Sequence, residues 1–182
     1  MILLSHAGYE AAVNADEDQM LGNPLLLRAP LEHGVTVIMA HCASLGVCND
    51  LDSPAKDEIP CFDLFLRMMG EQSYEGLLYG EISAMLQYNR LPVPLLEILK
   101  RPELHARLVN GTDYPLVAIN ALIRTGDLVK DGFITAQERE HLNEIYDYNP
   151  LLFEFVLKRT IKLPGTKQKL SPSIFSRNLF ED

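Results

Sequence analysis

A chain of 182 residues with 47% apolar residues, 16 Lys+Arg and 25 Asp+Glu has the makeup of one globular domain, which excludes collagen-like, low-complexity and disordered classes. Its net charge of −9 demotes nucleic acid and anionic membrane surfaces as partners. Cysteines at 42, 48 and 61 form no CxxC and cannot all pair, which argues against a disulfide scaffold and for a reducing compartment. No run approaches the roughly 18 apolar residues of a spanning helix. Met1-Ile2-Leu3-Leu4 is too short for a signal core and lacks a basic lead. A soluble, cytoplasmic protein is the expectation.

Short apolar runs alternate with helical patterns. Ile2-Leu3-Leu4 reads as a strand. Asn23-Pro24 is an N-cap with proline at the first helical position, Gly34 closes that helix, and Pro30 shortens or kinks it. Val35 to Ala40 is β-branched with no polar alternation, the mark of a parallel strand covered on both faces. Cys61 to Gly70 carries Phe62, Phe65, Leu66 and Met69 at helical spacing. Leu77 to Ser83 is a weaker strand. Val93 to Leu104 is a helix that Pro102 breaks early. Arg107 to Thr112 is a fourth strand, and a helix over Pro115 to Ile123 follows it. Thr135-Ala136-Gln137-Glu138 is a capping box that opens a helix to about Tyr148. Pro150 starts another, to about Ile161. The order β-α-β-α-β-α-β-α-α-α defines an α/β fold with a parallel sheet. The domain is expected to span 1–163. Residues 164–182 read as a tail, either docked through Ile174, Phe175, Leu179 and Phe180 or free.

Three residues of metal-ligand type sit at strand ends: His6, His41 and Asp113. The interval from 6 to 41 is 35 residues, and that from 41 to 113 is twice 36. A βα unit of that length puts a strand near 77, where Leu77 to Ser83 lies. Eight units make roughly 290 residues, within the range of a (β/α)8 barrel, whose active sites lie at the C-terminal ends of the strands. Alternation puts His6 on the face of Leu4 and Ile2, His41 on that of Met39 and Val37, and Asp113 on that of Gly111 and Val109. If those faces are the lumen, two imidazoles and a carboxylate converge on one rim. That set suits Zn²⁺ or a similar divalent ion.

Ser5-His6-Ala7-Gly8-Tyr9-Glu10, Val37-Ile38-Met39-Ala40-His41-Cys42, Tyr79-Gly80-Glu81-Ile82-Ser83-Ala84 and Asn110-Gly111-Thr112-Asp113-Tyr114-Pro115 resemble, in order and spacing, the second half of an amidohydrolase-superfamily barrel. The nearest branch is the amidohydrolase-related metal-dependent hydrolases. Gly-Thr-Asp-Tyr-Pro is the most specific piece, and Asn149-Pro150 opening a late helix is a weaker one. The resemblance covers about residues 1–161. It implies a partial (β/α)8 barrel, strands five to eight, with His6, His41 and Asp113 as metal ligands and Asp113 as the proton acceptor for the attacking water. The implied cofactor is a divalent metal, zinc first and manganese or iron next. The implied substrate is a small-molecule amide, ester, lactone or C–N bond, with decarboxylation a variant. The family's strand-one His-x-His is absent, since the histidines are at 6, 33, 41, 105 and 141. The Lys or Glu of strand four is absent too.

A half-barrel leaves apolar edges open. Three explanations stand: a truncated product of a longer enzyme, a half that pairs with itself or with a separate N-terminal half, or a non-catalytic α/β module. The isolated chain is expected to hydrolyse little or nothing.

Other polar residues carry plainer expectations. Glu81 and Ser83 read as solvated or hydrogen-bonded rim residues, with a substrate-side role the lesser option, Asn110 and Thr112 as supports of the Asp113 turn, and Tyr114 as a packed aromatic, with pocket lining the alternative. Cys42 reads as a buried inert thiol. His33 reads as a helix C-terminal charge partner, and His105 and His141 as helix surface. Asn49, Asp50, Asp52 and Lys56 are pocket candidates on a polar loop. Asp127 to Glu138 mimics a calcium loop, but Val129 at the third position cannot ligate, and Gly132 and Thr135 serve equally as turn and cap.

Overall fold

The computed structural model describes residues 1–177 and 179 and divides into two compact units. The first takes in residues 1–82 and 107–109, and the second 83–106 and 110–177. Among the described residues, no helix is long and apolar enough to cross a membrane. Phe180, one of the expected docking residues of the tail, lies outside the described residues.

In chain order the first unit contains β1 (Ile2–His6), α1 (Arg28–Glu32), β2 (Thr36–Ala40), β3 (Val47–Asn49), β4 (Glu58–Pro60), α2 (Cys61–Met69), β5 (Leu78–Glu81) and β6 (Leu108–Val109). Strands β1-β2-β5-β6 form one parallel sheet in that order, as their apolar, β-branched runs require. Val37, Met39, Leu78 and Leu108 have no exposed surface. They share one face with Leu3, Ser5 and Gly80. Helix α2 covers that face with Leu64, Phe65 and Met68. Each of these side chains contributes about 1.5–3 kcal/mol on burial. Gly80 is required by contact: a Cβ there would lie 2.6 Å from the Phe65 ring and 2.7 Å from Cys42 Sγ. The opposite face carries Ile2, Leu4, His6, Ile38 and Glu81. It is less covered, with Leu4 64% exposed.

The stretch expected to be a polar loop is a hairpin, β3 against β4. Its closure corrects the cysteine reading, because Cys48 and Cys61 form a disulfide. Spacing alone does not reveal which thiols an antiparallel pair brings near each other, and here Cys48 pairs with Ile59, two residues before Cys61 opens α2. Cysteine usage therefore gives no support to a reducing compartment. Two of the pocket candidates, Asp50 and Asp52, are spent on structure. Asp50 accepts two hydrogen bonds from Arg67 at 2.7 and 2.8 Å, and Asp52 accepts one from Arg28 at 2.6 Å. The Arg67 guanidinium holds the Asp50 carboxyl down at about 2. Arg28 is pushed above its ordinary value, first by Asp52 and then by Glu71.

The second unit is mostly helical: α3 (Val93–Lys100), α4 (Thr125–Lys130), α5 (Ala136–Tyr148), α6 (Pro150–Thr160) and α7 (Ser173–Ser176). The capping box forms as read, with Thr135 Oγ1 accepting from the Glu138 N–H at 3.1 Å and Glu138 accepting from the Thr135 N–H at 2.6 Å. That use of Glu138, with Asp127 inside α4, fits the turn-and-cap reading of the apparent calcium loop. Asn149 caps α6 through Leu151 and Leu152. The helix expected over 115–123 is a single turn, Leu116–Ala118. Its carbonyls serve other partners: Ala118 O accepts from the Tyr146 hydroxyl and Leu122 O from the Tyr88 N–H. His105, expected on a helix surface, is 3% exposed. Its Nδ1 accepts from the Ser171 N–H, so its Nε2 is the nitrogen that donates to Ile98 O. Leu170 and Ile174 of the tail are buried, and Phe175 stacks on Phe155 at 5.5 Å.

Candidate metal centre

The C-terminal ends of β1, β2 and β5 place His6, His41 and Glu81 at one edge of the sheet. In open parallel sheets ligands bind outside this edge. Register corrects one step of the sequence argument. His6 is paired with Ala40, and Leu4 with Ile38. Simple alternation therefore sends a residue at 41 to the face that α2 covers, opposite His6. A left-handed run reverses this: His41, Cys42 and Ala43 have φ of 56°, 51° and 50°. Non-glycine residues in this region cost about 1–3 kcal/mol each. Burial of all three residues sustains it, with the Ser44 N–H donating to His41 O at 3.0 Å and Cys42 Sγ to Glu81 O at 3.4 Å. The His6 and His41 rings then meet edge to face, 5.3 Å between centroids.

Each imidazole has a carboxylate beside Nδ1. Glu81 Oε2 is 3.7 Å from His41 Nδ1 and accepts from the His41 backbone N–H at 3.3 Å. Glu81 is only 8% exposed, so of its two rim readings the hydrogen-bonded one holds and the solvated one does not. The signal was present in the sequence: an acid closing an apolar strand one unit after His41. Glu10 Oε2 is 3.6 Å from His6 Nδ1. The loop after β1 sets that carboxylate. Gly8, at φ 90°, lets the chain approach Gly22 and Leu45, with N–H to O distances of 2.8 Å for Gly8 to Gly22 and for Tyr9 to Leu45. The Gln19 side chain pairs with the Glu10 backbone at both N–H and C=O, and Glu10 Oε1 accepts from the N–H groups of Ala12 and Val13. Burial alone raises the Glu10 carboxyl, but those N–H groups and His6 outweigh it and hold it below the ordinary value.

At 3.6 and 3.7 Å these carboxylates lie beyond hydrogen-bond distance of Nδ1, and they act on the two rings as neighbouring negative charges. His6 Nε2 is buried and has no hydrogen-bond partner among the described residues. Orphaned buried nitrogens are rare, and one of the groups that satisfy them is a cation. A cavity of about 260 Å3 opens beside it, lined by Ser5, His6, Glu10, Asp18, Gln19 and Leu21. Two carboxylates on its wall favour a cation there. Two imidazoles and two acids are chemically suited to a divalent ion. Among the described residues, no three such donors are already gathered at ligand distances.

Asp113, the third expected ligand, belongs to the second unit. It is half-buried, sits at φ 54°, and its carbonyl accepts from the Leu116 N–H at 2.9 Å. The turn before it is held from α6. Lys158, 1% exposed, pairs with Glu154 and donates to Gly111 O at 2.6 Å and Asn110 Oδ1 at 3.2 Å. Asn110 thus supports the turn as expected. Tyr114 is 66% exposed and is not packed. Cys42 has no exposed surface, in keeping with an inert thiol. Comparison with protein-family models, curated proteins and solved structures finds no match to this chain.

Proposed function

We propose that the chain is the ligand-bearing second half of a partial (β/α)8 barrel, a metal-dependent hydrolase of the amidohydrolase type. The observation that carries the reading is the meeting of His6 and His41 by way of a strained left-handed turn, each imidazole backed by a carboxylate. Strained non-glycine backbone of this kind collects at functional sites. His6 and His41 hold the ion, zinc first and manganese or iron next, and the resemblance adds Asp113 as ligand and proton acceptor. When bound, such an ion lowers the pKa of a bound water to about 7. Glu10 and Glu81 act on the two imidazoles as neighbouring negative charges. By the resemblance, Asp113 would be the group that accepts the proton of the attacking water. The cavity beside His6 receives the carbonyl of a small amide, ester or lactone, or a C–N bond, and a decarboxylase variant would use the same residues.

The exposed Leu4 and the single pairing of β1 support self-association or pairing with an N-terminal half. The same feature favours the second reading, a non-catalytic α/β module that assembles through its open edge. The reading also carries a cytoplasmic setting, and the Cys48–Cys61 disulfide counts against that part of it.

Zinc titration of the purified chain separates the readings. His6→Ala and His41→Ala are each expected to weaken zinc at least about tenfold, and Glu81→Gln to weaken it about 10–100-fold by removing a neighbouring negative charge. Zinc affinity unchanged in both histidine variants would leave the assembly module. Turnover of model esters by the isolated chain is expected to be weak or absent.

A further inference from the structure

The second unit contains a cavity of about 430 Å3 that the hydrolase reading does not use. Arg124, Thr125, Arg139, Asn143 and Asp147 line it. We propose that this cavity binds the dianionic phosphate group of a small molecule, or phosphate itself.

Two features point to that chemistry. First, the two guanidiniums are oriented but not neutralised. Arg139 Nε donates to Thr125 Oγ1 at 3.1 Å, and that hydroxyl donates to Asn143 Oδ1 at 3.0 Å. This chain fixes the Arg139 plane through Nε and leaves its two terminal nitrogens as a fork. Arg124 lies over the Tyr88 ring, 3.8 Å from its centroid. Stacking uses the face of a guanidinium and leaves its N–H edge for in-plane acceptors. Among the described residues, neither guanidinium makes an ion pair with a carboxylate, in a chain where acids outnumber bases by 25 to 16. Arg28, Arg67 and Arg101 all have acidic partners. Second, three donor-bearing side chains share the lining: Arg124, Arg139 and Asn143. A tetrahedral anion accepts from several directions, whereas a carboxylate presents two oxygens in one plane. Asp147 opposes an anion, but two cations against one acid leave the cavity positive. The carboxylate of Asp147 also suits a hydroxyl on the organic part of a phosphate ester.

Calorimetric titration of the full chain with inorganic phosphate, glycerol phosphate and acetate tests this. Phosphate or glycerol phosphate is expected to bind with a Kd of roughly 1 mM or tighter, the tighter of the two naming the source. Arg124→Gln and Arg139→Gln are each expected to weaken binding about tenfold, and Arg139→Lys to weaken it too, because it keeps the charge but loses the fork. Asp147→Asn changes the opposite way for inorganic phosphate, strengthening its binding several-fold. Circular dichroism identifies any variant that has lost its fold, and Asp147→Asn tests the site by a gain that unfolding cannot mimic. Three results overturn the proposal: no saturable binding by either phosphate, acetate binding as tightly as phosphate, or unchanged affinity in the arginine variants. Metal-free protein suffices, so failure here and failure of the metal reading are distinguishable.

Discussion

Replacing Lys158 with Met should destabilise the second unit far more than the loss of an ordinary ion pair. The ammonium is 1% exposed, and its partner Glu154 is 2% exposed. It serves three acceptors at once: Glu154 Oε1, Gly111 O at 2.6 Å and Asn110 Oδ1 at 3.2 Å. Methionine fills similar volume but returns none of these bonds, and it removes the Lys158 charge that pairs with an interior carboxylate. Removing one member of a buried pair costs about 3–5 kcal/mol. At about 2–4 °C per kcal/mol for a chain of this size, Tm should fall by roughly 6–20 °C. The control is the exposed pair Lys100–Glu97, where Lys100→Met should cost about 0.5 kcal/mol or less. Urea denaturation followed by circular dichroism gives both numbers. The double variant Glu154→Gln with Lys158→Met should recover part of the loss, since no charge is then left buried. A cost below about 1 kcal/mol for Lys158→Met would refute the reasoning.

Reduction, or Cys48→Ser, should lower stability by about 3 kcal/mol, because the Cys48–Cys61 bridge closes a short loop with a separation of 13. Peptide mapping should find that bridge, with Cys42 unreactive to thiol reagents until denaturant is added. Gly80→Ala should cost about 1–3 kcal/mol in the same urea assay, because its Cβ meets the Phe65 ring and Cys42 Sγ. The Asp50 carboxyl is depressed to about 2 by Arg67. Its contribution is therefore complete above its unfolded pKa of about 3.9 and is lost as pH falls through the folded value. Asp50→Asn should flatten the stability curve in that acid window, and an identical curve for wild type and variant would count against the Arg67 pairing.

The sheet was legible because a buried parallel strand has one signature: Val35 to Ala40 is apolar throughout, and β2 occupies Thr36–Ala40. Helix starts were legible where side chains satisfy orphan N–H groups, as at Asn23, Thr135 and Asn149. The meeting of His6 with His41 was anticipated, but by a route the register denies. The left-handed run at His41, Cys42 and Ala43 has little local signal, since of the three residue types only histidine is enriched at positive φ. Glu81 was underrated because Gly80 interrupts its strand, and Gly80 is there to admit Phe65 rather than to end the strand. The Cys48–Cys61 bridge and the burial of His105 depend on contacts remote in sequence, with Cys48 set near the start of α2 by the β3–β4 pairing and Ser171 reaching His105.

The most direct test is X-ray absorption at the zinc edge of the zinc-loaded chain. The account predicts two imidazole nitrogens at about 2.0–2.1 Å, with the imidazole scattering reduced in His6→Ala and again in His41→Ala. A spectrum with no imidazole contribution, or one that neither substitution alters, would contradict it.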